Sequence, residues 1–288
     1  ANWEPKSGSI KSIADSMNIL PDSVVFVDDN PAEREIVRQQ LPSAAVPDIG
    51  EAEDYIRVID RSGFFEVTAL SSDDLKRADM YKENAKRLEL ESSFSDYGDY
   101  LKSLEMRGEI KPFSELYLSR IAQLTNKSNQ FNLTTRRYTR EELSEISRDD
   151  SHITLYGRLV DKFGDNGIVS LVVAGLGEDR ALSKEEIEGE AAKHGASYMH
   201  SGGSCSAHIK LWLMSCRVLK RDMEYAMMDA LVMKCGELKM KSIYGYYYPT
   251  AKNHMVEDFY DLQGFKKIKE DEAGNTVWKL EITDGDED

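Results

Sequence analysis

The chain has 288 residues, 41% of them hydrophobic and 31% charged, enough for two ordinary domains with sizeable cores. Its formal net charge of −15 argues against a nucleic-acid-binding surface and suits a cytoplasmic protein. No apolar run approaches the length of a membrane span, no signal peptide is expected, and Cys205, Cys216 and Cys235 read as reduced thiols, not a disulfide framework.

Residues 1–22 read as a polar loop and a helix, with Ser9 as N-cap and Ile10, Ile13, Ala14 and Met17 on one face. Val24-Val25-Phe26-Val27 reads as a buried parallel strand, because three of its four apolar residues are β-branched. Asp28 and Asp29 follow at its carboxyl end, where open α/β sheets place their ligand crevice. Asn30-Pro31 turns the chain into a helix over 32–41, and 44–47 reads as a further short strand. A helix is expected over 51–62 with Tyr55, Ile56 and Ile59 inward. This is βαβ grammar with too few strands for a doubly wound sheet. The chain begins at Ala1 without a methionine, so 1–70 reads as the carboxyl-terminal part of a domain whose remainder lies upstream.

Residues 71–102 read as a charged helical connector. One helix is capped by Ser72 or Asp73 and runs to about Leu90, and a second carries Phe94, Tyr97, Tyr100 and Leu101. A mixed α+β pattern then occupies 103–283. It comprises a strand at 105–111, helices at 116–125 and 139–146, and strands at 153–160 and 167–174. Thr139 and Glu142 have capping-box spacing, and Asn166-Gly167 signals the hairpin between the two strands. The stretch 175–205 reads as an insert. Next come a strand at 207–214 with Ile209, Leu211 and Leu213 inward, a helix at 223–237, a strand at 242–248 and a helix at 256–263. Two closing strands lie at 265–269 and 276–282, and the tail 284–288 is acidic.

Two places carry chemistry. At the first, adjacent carboxylates Asp28 and Asp29 can hold Mg²⁺, a hard cation with oxygen ligands, and Lys6 can neutralise phosphate. The structural alternative makes Asp28 a helix cap and leaves Asp29 solvated. A receiver domain also begins with such an acid pair. It needs an acceptor aspartate on a buried strand some 40–45 residues on and then a Met-Pro-type loop, and 62–74 supplies neither the strand nor the loop.

Glu4-Pro5-Lys6-Ser7, Val27-Asp28-Asp29-Asn30-Pro31 and Glu33-Arg34 together resemble the haloacid-dehalogenase (HAD) superfamily, more narrowly its FkbH-like subfamily IIIC. The blocks 123–138, Phe163-Gly164-Asp165-Asn166-Gly167 and Ser215-Cys216-Arg217-Val218-Leu219 extend that resemblance. It implies an incomplete HAD-type Rossmann-like parallel sheet, with Lys6 steadying phosphate and Asp28 and Asp29 as late Mg²⁺ ligands. It also implies loading of an acyl group from a small acyl phosphate such as 1,3-bisphosphoglycerate onto an acyl carrier protein. No Asp-x-Asp-x-Thr-like nucleophile block on a strand is present, so no phosphatase activity is expected from these residues alone.

At the second place, Asn253-(x5)-Phe259-Tyr260-(x3)-Gly264-Phe265 resembles the final motif of GNAT acyltransferases. The resemblance implies a GNAT-like domain with Tyr260 as general acid and Asn253 bonding cofactor or chain. The alternative leaves these as core residues around a helix C-cap. The GNAT phosphate turn, with a glycine at its fourth and sixth positions, aligns with Arg217-Val218-Leu219-Lys220-Arg221-Asp222. Both glycine positions carry side chains and Asp222 adds negative charge, so the CoA site is in doubt and no detectable acetyl-CoA binding is expected. Cys216 beside Arg217 reads either as an acyl acceptor or as a small buried residue. Asn129, Gln130, Asn132, Thr134, Asp165 and Asn166 either line a substrate cleft or belong to polar loops. His200, Cys205 and His208 match no established zinc spacing. Three functions follow: an FkbH-like acyl-loading enzyme fragment, a CoA-dependent GNAT acyltransferase, and a non-catalytic module that docks a carrier protein.

Overall fold

The computed structural model describes residues 4–17, 19–66, 77–188 and 205–282. The expected helix cap at Ser72 or Asp73, His200 with most of the insert, and the acidic tail lie outside the described residues. The chain forms two compact units, Ala1–Ser93 and Phe94–Asp288, and the division falls inside the stretch read as a connector.

In the first unit, α1 spans Lys6–Met17. It starts at Lys6, after Pro5, so Ser9 sits inside the first turn and is not the cap. Ile10 and Ala14 are buried, while Ile13 faces out. Helix α2, Pro31–Gln40, is capped by Asn30, whose side chain accepts from Ala32 N at 2.9 Å. Pro31 opens the helix where no amide is needed. The run expected to be a strand forms one isolated parallel bridge, Val25 to Ala45. Phe26 N donates to Ala45 O at 2.8 Å and Ala45 N to Val24 O at 3.0 Å. Val27 is 39% exposed. Strand propensity becomes a strand only when neighbours pair and cover it. In α3, Tyr55–Arg61, Ile56 is 85% exposed, against the expected inward face. Helix α4, Arg77–Glu91, completes the unit.

The second unit is built on one mixed sheet. After α5 (Tyr97–Ser103) come β1 (Arg107–Lys111), α6 (Leu118–Lys127), β2 (Phe131–Asn132), α7 (Arg140–Ser147), β3 (His152–Asp161) and β4 (Gly164–Glu178). There follow α8 (Lys184–Glu188), β5 (Cys205–Met214), α9 (Met223–Glu237), β6 (Ser242–Tyr247), α10 (Phe259–Leu262), β7 (Lys266–Glu270) and β8 (Thr276–Glu281). The strand order is β1-β3-β4-β5-β6-β8-β7, with β2 on β5. Among the described strand pairs of this sheet, only β5–β6 is parallel. The expected capping box holds α7: Thr139 Oγ1 accepts from Glu142 N, and Glu142 accepts from Thr139 N at 2.6 Å.

Alternation along the strands sorts side chains to two faces. Met227, Leu231, Phe259 and Tyr260 of α9 and α10 pack with Ile209, Trp212 and Ile243 on one face. Leu118, Ile121 and Leu143 of α6 and α7 pack with Leu171, Leu211 and Leu213 on the other. On that second face, Ile187 of α8 packs on Tyr244, Tyr246 and Tyr248.

Two strand details differ from the sequence reading. The β3–β4 turn is at Lys162-Phe163, since Asp161 pairs with Gly164. Asp161 sets it by accepting from Phe163 N at 2.9 Å and Gly164 N at 3.2 Å. Asn166-Gly167 instead marks a bulge, with Gly167 at φ 69°. In β5 a bulge between Ile209 and Leu211 leaves Lys210 as the extra residue. Ile209 therefore faces opposite to Leu211 and Leu213, not with them.

Candidate functional site

Strands β5 and β6 pair at Ser206–Ser242, Ala207–Ile243 and His208–Tyr244, and then part. The segment after α6 enters the wide end of the wedge, antiparallel to β5, with Phe131 opposite Met214 and Asn132 opposite Leu213. Leu133 N donates to Trp212 O at 3.1 Å, and Leu133 O accepts from Tyr248 N at 2.9 Å, so this segment bonds both strands. Thr134 Oγ1 donates to Lys210 O at 2.8 Å. Thr135 sits at φ 56°, a left-handed conformation that is strained for a β-branched residue, and its N–H donates to Asn132 Oδ1 at 2.9 Å.

Asn253 fastens the wedge. Its Nδ2 donates to Asn132 O at 2.9 Å and Tyr248 O at 3.0 Å, and its Oδ1 accepts from Thr250 N at 2.7 Å and Thr250 Oγ1 at 3.0 Å. The chain itself takes all four hydrogen-bonding positions of this buried amide. Tyr260 is fully buried, and a Cβ on Gly245 would lie 2.3 Å from its ring, so only glycine lets the ring cross β6 there. Its Oη lies 3.5 Å from Tyr246 O, and burial pushes the phenol far above its ordinary value. Donating that proton to a leaving thiolate needs the aromatic cluster around Phe259 and Trp212 to open. Three buried donors in this region, Trp212 Nε1, Tyr247 Oη and Tyr248 Oη, have no hydrogen-bond partner among the described residues. Such orphaned groups point to a ligand or water.

The turn after β5 leads to the amino end of α9. Ser215 N donates to Val169 O at 2.7 Å, and Arg217 Nε donates to Ser215 Oγ at 3.1 Å. Cys216 is half-buried. Lys220 and Asp222, at the two positions where the GNAT turn carries glycine, both sit at φ 60°. The backbone thus keeps a shape that favours glycine while the sequence supplies side chains. Tyr97 Oη donates to Lys220 O at 2.7 Å. Arg221 turns inward and pairs with buried Asp161 at 3.2 Å, so its charge is not offered to solvent at the helix end. Asp161 also accepts from Asn166 Nδ2 at 3.3 Å, which brings the bulge to this turn. Asp165 pairs with Arg158.

The second sheet face carries a group of which sequence reasoning singled out only His208, as an unmatched zinc candidate. His208 is buried, with Nδ1 2.9 Å from Tyr246 Oη and Nε2 2.9 Å from Glu178 O. Burial holds its pKa down at about 4. Lys210 is 6% exposed, and its stem crosses Gly175, where a Cβ would lie 2.6 Å from Cε. Burial, with Arg136 nearby, lowers its pKa to about 8. His152 bonds Asp149 at 3.0 Å, and Asp149 accepts from Ser151 Oγ at 2.6 Å. The signal was available: Lys210 is the lone lysine in an otherwise apolar run from Ile209 to Met214.

The remaining expected residues lie apart. Asn129 accepts from Arg137, Gln130 is half-buried, and both sit at the entry to β2. Lys6 and Asp28 belong to the first unit, where they form an ion pair. The other Asp28 oxygen accepts from Asn30 N at 2.9 Å. Asp29 is exposed, and Arg34 Nη1 donates to its backbone carbonyl at 3.1 Å. Both carboxylate oxygens of Asp28 are engaged by the chain, and no group of three or more potential metal ligands occurs among the described residues. These residues alone therefore do not fit Mg²⁺.

No family model matches the sequence, and no curated protein matches it. Solved structures do. A GNAT-family acetyltransferase from Streptococcus pneumoniae is 13% identical over 62% of this chain and 100% of its own, with a TM-score of 0.43. NAA60 from Arabidopsis thaliana in complex with acetyl-CoA is 14% identical over 61% and 99%, also at 0.43. Ard1 from Thermoplasma volcanium is 16% identical over 61% and 98%, at 0.40. Likeness at this level does not assign a function. No helix among the described residues is long and apolar enough to cross a membrane.

Proposed function

We propose that the second unit is a GNAT-type acyltransferase domain whose donor is an acyl thioester on a pantetheine arm, carried by CoA or by an acyl carrier protein. The observation that carries this reading is the parting of the parallel pair β5–β6. Separated strands present main-chain donors and acceptors to an extended, amide-bearing chain, as in strand addition. Segment 131–133 already bonds in that manner at the wide end. It is the piece that must yield to an arm, and strained Thr135 sits at its end.

The turn at 217–222 favours a carrier-bound arm over free CoA. Lys220 and Asp222 put side chains, one of them acidic, where the resembled turn has glycines against a pyrophosphate, and an arm on a protein brings only one phosphodiester. Calorimetric titration separates the donors. Acetyl-pantetheine is expected to bind saturably and acetyl-CoA more weakly. A Lys220→Gly, Asp222→Gly variant is expected to bind acetyl-CoA at least about tenfold more tightly, with acetyl-pantetheine unchanged. Failure of both proteins to bind either thioester would overturn the reading.

A second reading concerns the first unit, and the Lys6–Asp28 ion pair favours it. There we propose the phosphate-handling end of an FkbH-like HAD enzyme. By itself it lacks a nucleophile, so the chain is expected to release no phosphate from acetyl phosphate with magnesium. Magnesium-dependent release that disappears in Asp28→Ala would contradict that expectation.

A further inference from the structure

We propose that Lys210 and Arg136 form a binding site for an anionic group, a carboxylate or phosphate of the substrate, on the sheet face covered by α6, α7 and α8. The inference deepens the acyl-transfer reading by naming a substrate class for the same domain, and its test needs no acyl donor.

Lys210 has no hydrogen bond or ion pair among the described residues, although it is 6% exposed. Its Nζ is not among the fully enclosed polar atoms that lack a partner, so the buried stem holds out an ammonium that an anion from solvent can reach. The bulge in β5 turns it to this face, and Gly175 gives its stem room to cross β4. Arg136 is the second cation. Its guanidinium stacks over Tyr138 at 4.6 Å and donates to the carbonyl of Ile187, a neutral acceptor, with no carboxylate paired to it among the described residues. Arginine in such a setting keeps donors for a planar or tetrahedral anion.

The groups around Lys210 support this assignment. Arg136, His152 and His208 each interact unfavourably with it when charged, and Asp149 is the opposing charge. Asp149 is occupied by Ser151 and His152. Both histidines have lowered pKa values, so they are neutral at pH 7 and do not add repulsion. Two cations thus share this face in a chain of net charge −15, with Asp149 as the opposing carboxylate.

The test titrates inorganic phosphate and, separately, acetate into the full chain, against chloride at matched ionic strength. Saturable binding of at least one anion is expected. Lys210→Met and Arg136→Gln are each expected to weaken it about tenfold, and Lys210→Arg to retain it. An anion beside Lys210 raises its pKa from about 8, so binding at pH 8.5 takes up a proton, and Lys210→Met abolishes that uptake. The unliganded Lys210→Met protein is expected to melt no lower than the parent, which separates an anion site from a merely structural lysine. Absence of saturable binding for both anions, or equal binding by parent, Lys210→Met and Arg136→Gln, overturns the proposal. Loss of anion binding with intact thioester binding would remove this site and leave the acyl-transfer reading standing. The reverse outcome would keep the site alone.

Discussion

The two units answer the same kind of sequence signal differently. Val24–Val27 and the apolar run of β5 are both rich in strand-forming residues. In the second unit that run is paired on both edges and buried on both faces, so even Ser206, His208 and Lys210 are covered. In the first unit the run makes a single bridge. The buried cluster there holds Ile10, Val37, Leu41 and Ala44, while Ile13, Val27, Ile36, Ile56 and Phe65 are exposed. Strand propensity is thus a statement about available neighbours, and the polar groups that can be buried follow from how completely the sheet is closed.

Substitutions should reproduce this contrast. The largest effect is expected for Tyr260→Ala, which empties a fully buried ring site above Gly245 and should cost about 3–5 kcal/mol in chemical denaturation. A loss below about 1 kcal/mol would mean that the wedge is loosely packed.

Next comes the pH dependence from His208. Its folded pKa of about 4 lies below the ordinary value of 6.5, so between those values the unfolded chain binds the proton and the folded chain does not. Stability is therefore full above pH 6.5 and falls as pH drops towards 4, by about 3 kcal/mol from this group. His208→Gln should flatten that part of the profile, and an unchanged slope would show that other groups set it.

Lys220→Gly should stabilise the second unit by about 1 kcal/mol, since glycine adopts the left-handed conformation without strain. Destabilisation would show that the Lys220 side chain contributes contacts of its own. Ile56→Ser in the first unit should shift the unfolding midpoint least, because that side chain is already 85% exposed. A clear drop would reveal that Ile56 is covered in solution.

Local signals in the sequence were enough for most of the second unit's helices and strands, but not for β2 or for the run of β4 on to Glu178. The Thr139–Glu142 capping box, the helix Met223–Glu237 and the closing strands follow from spacing alone. Asn253, Asn132 and Thr134 could be singled out as polar residues, but not as one group, because the contacts joining them span up to 121 residues of chain. The Asn-Gly pair misled for a physical reason. Asp161 holds the turn earlier by capping Phe163 and Gly164, and Gly167 is used for a bulge.

The sequence by itself determined the order of elements, the net charge, the absence of a nucleophile block beside Asp28 and Asp29, and the side chains at Lys220 and Asp222. Only the tertiary structure decided that β5 and β6 part, that segment 131–133 fills the wide end, and that Lys210 is buried with no hydrogen-bond partner among the described residues. Local propensities act over a few residues, whereas strand register and the faces that a bulge exchanges depend on which distant strands come to lie alongside.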